Sequence, residues 1–194
     1  MKIIGGQYKN RNFYVPAWIR PTQGMTRKAI FDLIGQDLTG LRFLDIFSGS
    51  GAVGLEALSR GAGHVTFVER DQKCLRVLED NLRLLGLYRT FTETGRYAIA
   101  PMDAFAGLKH LARQKSAFDI VFLDPPYSRG LAKKSLKTLV DHDIIHSASL
   151  VIVEHSKREV LPQDLDGRFF IVRHRKYGIS YLTVYQRQES GSSS

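Results

Sequence analysis

Two hydrophobic periods alternate along this chain, and together they predict its elements. Ala29, Ile30, Leu33, Ile34 and Leu38 recur at helical spacing across residues 26–38. Leu41–Phe47 is a short apolar strand, followed by a glycine-rich turn and a helix through Ser59. His64–Glu69 reads as a second strand. Asp71 then suits an N-cap, with Leu75, Leu78, Leu82 and Leu85 marking one helix face. A third strand falls near Tyr97–Met102, and a helix runs from Ala104 to Gln114. Asp119–Leu123 reads as a fourth, buried parallel strand ending on Asp124, and a helix spans roughly 131–140. Leu150–Val153 is a fifth strand. Phe169–Val172 and Ser180–Gln186 read as an antiparallel pair joined through Lys176-Tyr177-Gly178. Strands alternating with helices predict a doubly wound, mostly parallel α/β sheet covered on both faces, closed by a C-terminal antiparallel hairpin.

The domain reading follows from composition along the chain. Residues 1–20 form a small basic extension with a short hairpin, 21–188 the main domain, and 189–194 a flexible tail. At 194 residues and 43% hydrophobic, one well-buried core is expected. No apolar stretch approaches the roughly 20 residues of a membrane helix, and the N-terminus has no secretory h-region, so a cytoplasmic protein is expected. The one cysteine, Cys74, excludes an internal disulfide and reads as a buried structural thiol. His142 and His146 stand at ligand spacing for a helix, but no third ligand is evident; no metal site is expected.

Charge sharpens the picture. The net charge is +9, which favours polyanionic partners. Three stretches carry basic residues and no acid: 1–28 (Lys2, Lys9, Arg11, Arg20, Arg27, Lys28), 128–140 (Arg129, Lys133, Lys134, Lys137) and 168–187 (Arg168, Arg173, Arg175, Lys176, Arg187). Solvated helix faces would explain any one of them. Together they favour nucleic acid, with Arg11, Arg20, Arg27, Arg129, Lys133, Lys134 and Lys176 as candidate contacts.

Gly49-Ser50-Gly51-Ala52-Val53-Gly54 is a G-x-G-x-x-G turn between strand and helix, the context of a nucleotide-type ligand. Asp45, four residues earlier, is poorly placed for an anionic pyrophosphate and well placed for a cation such as the ammonium of S-adenosylmethionine. Glu69 ends the second strand, where an acid can accept both ribose hydroxyls of a nucleoside. Asp103 can accept from an adenine amine, cap the helix beginning at Ala104, or both. The candidate cofactor set is Asp45, Phe47, Gly49, Gly51, Glu69, Arg70, Asp103 and Ala104.

Asp124-Pro125-Pro126-Tyr127 closes the fourth strand. Two prolines stiffen the corner and remove two N–H donors. In a doubly wound sheet this corner and the end of the first strand share one cleft. An exocyclic base amine is a poor nucleophile, because its lone pair is delocalised into the ring. The Asp124 carboxylate and Pro125 carbonyl can hold its two N–H bonds, and Asp124 can take the proton. Tyr127 offers a stacking surface to a displaced base. These residues imply an amine methyltransferase.

The segments "MKIIGGQYKNRNFYVP", "RPTQGMTRKAIFDLIG", "LDIFSGSGAVGLEALSRGA", "FVERD", "DPPY" and "KYGISYLTVY" resemble, in order, the RsmD family of bacterial 16S rRNA guanine-N2 methyltransferases. The resemblance covers nearly the whole chain. It implies a Rossmann-like class I methyltransferase fold, S-adenosylmethionine as methyl donor, methylation of N2 of one guanine (the 966-type position) in 16S rRNA, and small ribosomal particles as partner. A monomer is expected. It also implies that Arg20-Pro21-Thr22 and Arg27 lie close to cofactor and RNA. Gln23-Gly24-Met25-Thr26 departs from the family, which usually carries an acid there. Three other readings stay open. A DNA adenine-N6 or cytosine-N4 methyltransferase shares the corner, but this chain has no insert for target recognition. A nicotinamide oxidoreductase is opposed by Asp45. A non-catalytic RNA-binding assembly factor would have the same composition.

Overall fold

The computed structural model describes residues 1–19, 24–87, 95–126 and 130–187. Arg20, Tyr127 and Arg129, and the tail from 188, lie outside the described residues. Among these residues eight strands form one sheet in the order β3-β2-β1-β4-β5-β8-β7-β6. The elements are α1 (Gly24–Ile34), β1 (Arg42–Ile46), α2 (Ala52–Ser59), β2 (His64–Glu69), α3 (Gln72–Leu84), β3 (Tyr97–Pro101), α4 (Ala104–Arg113), β4 (Phe118–Leu123), α5 (Leu131–Asp141), β5 (Ile145–Ser156), β6 (Asp164–Leu165), β7 (Phe169–Tyr177) and β8 (Ser180–Arg187). The first five strands pair in parallel. Strands β5–β8, β8–β7 and β7–β6 pair antiparallel.

Alternate residues of each strand feed two cores, as a sheet covered on both faces requires. Phe43, Phe67, Ile120, Phe122 and Ile152 face one layer with Ile30, Leu55, Leu58, Leu78 and Leu82 of α1, α2 and α3. Leu44, Ile46, Val121, Leu123 and Val153 face the other, with Leu108 of α4 and Leu136 and Leu139 of α5. Ile3 and Phe13 of the N-terminal segment join the first layer, and Lys2 bridges Asn12 in the short antiparallel turn.

Four expectations change. Helix α1 stops at Ile34; Leu38 is buried beyond it, its N–H bonded to Arg60 O, so burial rather than helix explains its place in the pattern. Strand β5 begins five residues before Leu150, through His146 and Ser149, whose polar side chains hid the strand; Ser149 Oγ donates to Phe118 O at 2.7 Å. His146 is therefore on a strand, 3.0 Å from Asp119, while His142 ends α5, so the pair loses its helical ligand geometry. Cys74 is half-buried rather than buried. Among the described residues no helix is long and apolar enough to cross a membrane.

Candidate active site

The glycine turn is set by backbone requirements. Gly49 and Gly51 hold positive φ (55° and 80°), the region an L side chain resists. A Cβ on Gly51 would stand 2.3 Å from Leu78, and one on Gly54 would stand 2.2 Å from Phe67. The third glycine thus lets α2 lie against β2, while the first two bend the chain over the strand ends. Ser48 locks that bend, its hydroxyl 2.9 Å from Asp45 O and 3.1 Å from Val68 O.

Asp45 sits under the turn, 2% exposed, and accepts from Gly54 N at 2.9 Å. Burial pushes its pKa up to about 7; the Gly54 N–H opposes this and nearby Glu69 adds to it. Glu69 reaches the same turn from β2. Its Oε2 accepts from Gly49 N at 2.9 Å, and its Oε1 from Arg70 N and Asp71 N at 2.8 and 2.9 Å. Three of a carboxylate's roughly four lone-pair directions are thus engaged by backbone. Asp103 caps α4, accepting from Phe105 N and Ala106 N at 3.0 and 3.1 Å. Its neighbour Ala104 is buried in the second layer.

Register brings the acidic corner to this turn. Asp45 pairs with Phe122 and Ile46 with Leu123, so Asp124 emerges beside Phe47, its N–H 3.4 Å from Ile46 O. Phe47 itself holds a positive φ of 65°. Asp45, Phe47, Gly49, Phe122 and Asp124 line one narrow crevice of about 30 Å3. Pro125 is buried and Pro126 exposed; Tyr127 is outside the described residues. Two much larger cavities, of about 450 and 520 Å3, lie toward β5–β8 and α5. The small crevice nevertheless holds the candidate chemistry, because both strand-end carboxylates open into it.

Several residues that shape the site escaped sequence reasoning. Ile19 lines the crevice and covers Gly49. Asn81, fully buried in α3, donates to Ser50 O and Tyr14 O and accepts from Tyr14 N, tying turn and N-terminal segment together. Glu56, fully buried, accepts from Ile4 N and Gly5 N and pairs with Arg60. A lone polar residue on an otherwise apolar helix face was the available signal for both.

The expected basic contacts divide. Arg27 is corrected: it is 2% exposed, donates to Lys2 O at 2.9 Å and lies 5.0 Å over the Phe13 ring, so it is a core residue. Arg11 is occupied, donating to Leu84 O and Leu85 O at the end of α3. Lys133, Lys134 and Lys176 are exposed. Lys133, Lys134 and Lys137 share their cavity with Asp141, Asp164 and Asp166, so a stretch without acids in sequence is not without acids in space. No group of three or more His, Cys, Asp or Glu that could hold a metal occurs among the described residues.

Several known proteins are similar to this chain over nearly its whole length. Residues 1–186 match the family model described as conserved hypothetical protein 95. Ribosomal RNA small subunit methyltransferase D of Escherichia coli (strain K12) is 32% identical over 195 residues, covering 100% of this chain and 93% of its own. YlbH of Bacillus subtilis (strain 168), provisionally named an rRNA methyltransferase, is 32% identical over 190 residues, covering 97% and 100%. The solved structure of yhhF from Escherichia coli, provisionally named a methyltransferase, superposes with a TM-score of 0.81 at 32% identity, covering 97% and 98%. The family model over residues 1–186, the full-length identity and the superposition place this chain in the RsmD family, with the class I methyltransferase fold.

Proposed function

We propose that this chain methylates the exocyclic N2 amine of one guanine in 16S rRNA, with S-adenosylmethionine as methyl donor and small ribosomal particles as substrate. The observation that carries the reading is the convergence of two carboxylates, Asp45 and Asp124, on one crevice at the ends of adjacent parallel strands.

The donor set fits that ligand. A buried carboxylate at the end of β1 suits an ammonium, and Asp45 keeps lone pairs beyond the one Gly54 N–H occupies. Glu69 has capacity for one ribose hydroxyl as it stands, and accepts a second if it releases Arg70 N or Asp71 N. The exposed Asp103 carboxylate suits an adenine amine while it caps α4. The crevice is too small for a nucleoside, and Ile19 is the side chain over Gly49, so ligand entry displaces the segment around Trp18 and Ile19.

Bound there, S-adenosylmethionine supplies an electrophilic methyl group. The remaining work belongs to the chain. Asp124 and the Pro125 carbonyl accept the two N–H bonds of the guanine amine, which turns its lone pair toward the methyl; this is orientation and electrostatics. Asp124 then holds the proton released on methylation. Tyr127 follows directly and is assigned the stacking role. Exposed Lys133, Lys134 and Lys176 hold the RNA backbone, and Arg20 and Arg129 join them in this reading.

The test is methyl transfer from labelled S-adenosylmethionine to under-modified small ribosomal particles, free 16S rRNA and duplex DNA, with identification of the labelled nucleoside. N2-methylguanosine from particles or rRNA is expected. N6-methyladenine or N4-methylcytosine in DNA would overturn the reading in favour of the sister class sharing the corner.

A further inference from the structure

Beyond the crevice, the same end of the sheet carries a second cavity of about 450 Å3 that the methyl-transfer chemistry does not use. Strand β5 outruns β4: Leu123 pairs with Val153, and β5 continues through His155 and Ser156 against Tyr181 and Ser180 of β8. His155, Lys157, Gln163, Ile171, His174 and Tyr181 line the space. Its loop is fixed to the catalytic side, since Glu159 Oε1 accepts from Ala132 N at 3.1 Å in the first turn of α5, the helix that follows the Asp124 corner.

The wall is a wired polar chain. His155 is 3% exposed, and its Nδ1 stands 3.0 Å from Ser156 O, a carbonyl that only accepts. Nδ1 is therefore the donor, and in the neutral ring, which burial favours, Nε2 accepts. Thr183 Oγ1 lies 2.8 Å from His155 Nε2 and 2.8 Å from His174 Nδ1. Its single hydrogen goes to His155, so it accepts from His174 Nδ1–H. These three hydrogen bonds run in one direction, and the far end fixes an exposed ring. That ring, His174, stacks on Tyr181 with centroids 5.0 Å apart and planes 19° apart. A core needs no such device to orient a solvent-facing imidazole.

We propose that this cavity holds a nucleobase flanking the target guanine, stacked on the His174–Tyr181 shelf with its phosphate toward Lys157 and Lys176. The inference rests on the RNA-methyltransferase reading above. The volume falls within the range of small-ligand sites, Gln163 offers both donor and acceptor to a base edge, exposed Lys157 lines the cavity, and exposed Lys176 follows His174 by two residues on β7. The acid lining the cavity, Glu159, turns its Oε1 to the α5 N-terminus. A flat aromatic shelf beside cations is how single-stranded bases are held without sequence reading.

The experiment is steady-state methyl transfer into under-modified small ribosomal particles by wild type, His174→Ala, Tyr181→Ala and His174→Phe, with ultraviolet crosslinks to residues 174–181 mapped by mass spectrometry. Losing one stacked base should raise KM about fivefold to a hundredfold for the two alanine variants. The turnover number should stay within about twofold and the affinity for S-adenosylhomocysteine unchanged. His174→Phe, which keeps a ring, should recover most of the KM, and the crosslinks should carry a nucleotide. His174 is exposed, so alanine there leaves the core intact, and an unchanged thermal midpoint verifies this. Wild-type KM in both alanine variants, with wild type active, would overturn this inference alone. Crosslinks to a ribosomal protein in place of a nucleotide would also overturn it. A wild-type enzyme inactive on every RNA would overturn the methyltransferase reading, before any variant is compared.

Discussion

Asp45 should make cofactor binding fall away below neutral pH. The buried carboxyl has its pKa pushed from 3.8 to about 7, chiefly by burial. Only the ionised form pairs with a ligand ammonium. At pH 8 that form dominates; at pH 6 it is about one molecule in eleven, a penalty of about 1.4 kcal/mol. The Kd for S-adenosylhomocysteine should therefore rise about tenfold between pH 8 and pH 6, and binding near pH 6 should release close to one proton. Isothermal titration in two buffers of different ionisation enthalpy reads both. Asp45→Asn should bind more weakly at pH 8 and lose the pH dependence. The ligand-free protein carries the opposite consequence. The native state keeps the Asp45 proton up to about pH 7 while the unfolded chain gives it up near 4, so this group lowers stability as pH rises from about 4 to about 7, with no further change above. Asp45→Asn should then raise the thermal midpoint at pH 8. A wild-type Kd that is flat from pH 6 to 8 would refute the pairing.

Asp103→Ala should cost about 1 kcal/mol of stability through the lost α4 cap and also weaken cofactor binding; affinity unchanged in titration would leave Asp103 as a cap alone. Arg27→Ala should destabilise by about 2–4 kcal/mol in urea unfolding, because it empties a buried site over Phe13 and beside Glu56. The RNA affinity of that variant should match wild type, and a stable variant with weakened RNA binding would return Arg27 to the RNA face. Changing Lys133 and Lys134 together to Gln should lower the slope of log affinity against log salt by up to about 2, and an unchanged slope would remove α5 from the RNA path.

The sequence made the parallel sheet legible because buried parallel strands are continuous apolar runs: Leu44, Ile46 and Phe122, Leu123 needed no partner to be recognised. Asp45 and Asp124 stood out for the same reason, as charges inside such runs. Their shared crevice followed from the strand-end rule for doubly wound sheets. Other features are set by tertiary partners and left little local trace. Arg27 looked like a surface cation because its neighbours in sequence are basic; its burial comes from Phe13 and Lys2, some fourteen and twenty-five positions away. Asn81 and Glu56 hold backbone groups contributed by the N-terminal segment, which periodicity cannot see. The His155–Thr183–His174 chain joins three strands, and no one of its members is unusual in its own segment.

The most direct test of the central claim is the Asp124→Ala variant, compared with wild type in methyl transfer to under-modified small ribosomal particles and in S-adenosylmethionine binding. The account predicts N2-methylguanosine from wild type, turnover lowered at least a hundredfold in the variant, and cofactor affinity within about threefold of wild type. Unchanged turnover in Asp124→Ala would contradict the assignment of this corner as the place where the base amine is held and deprotonated.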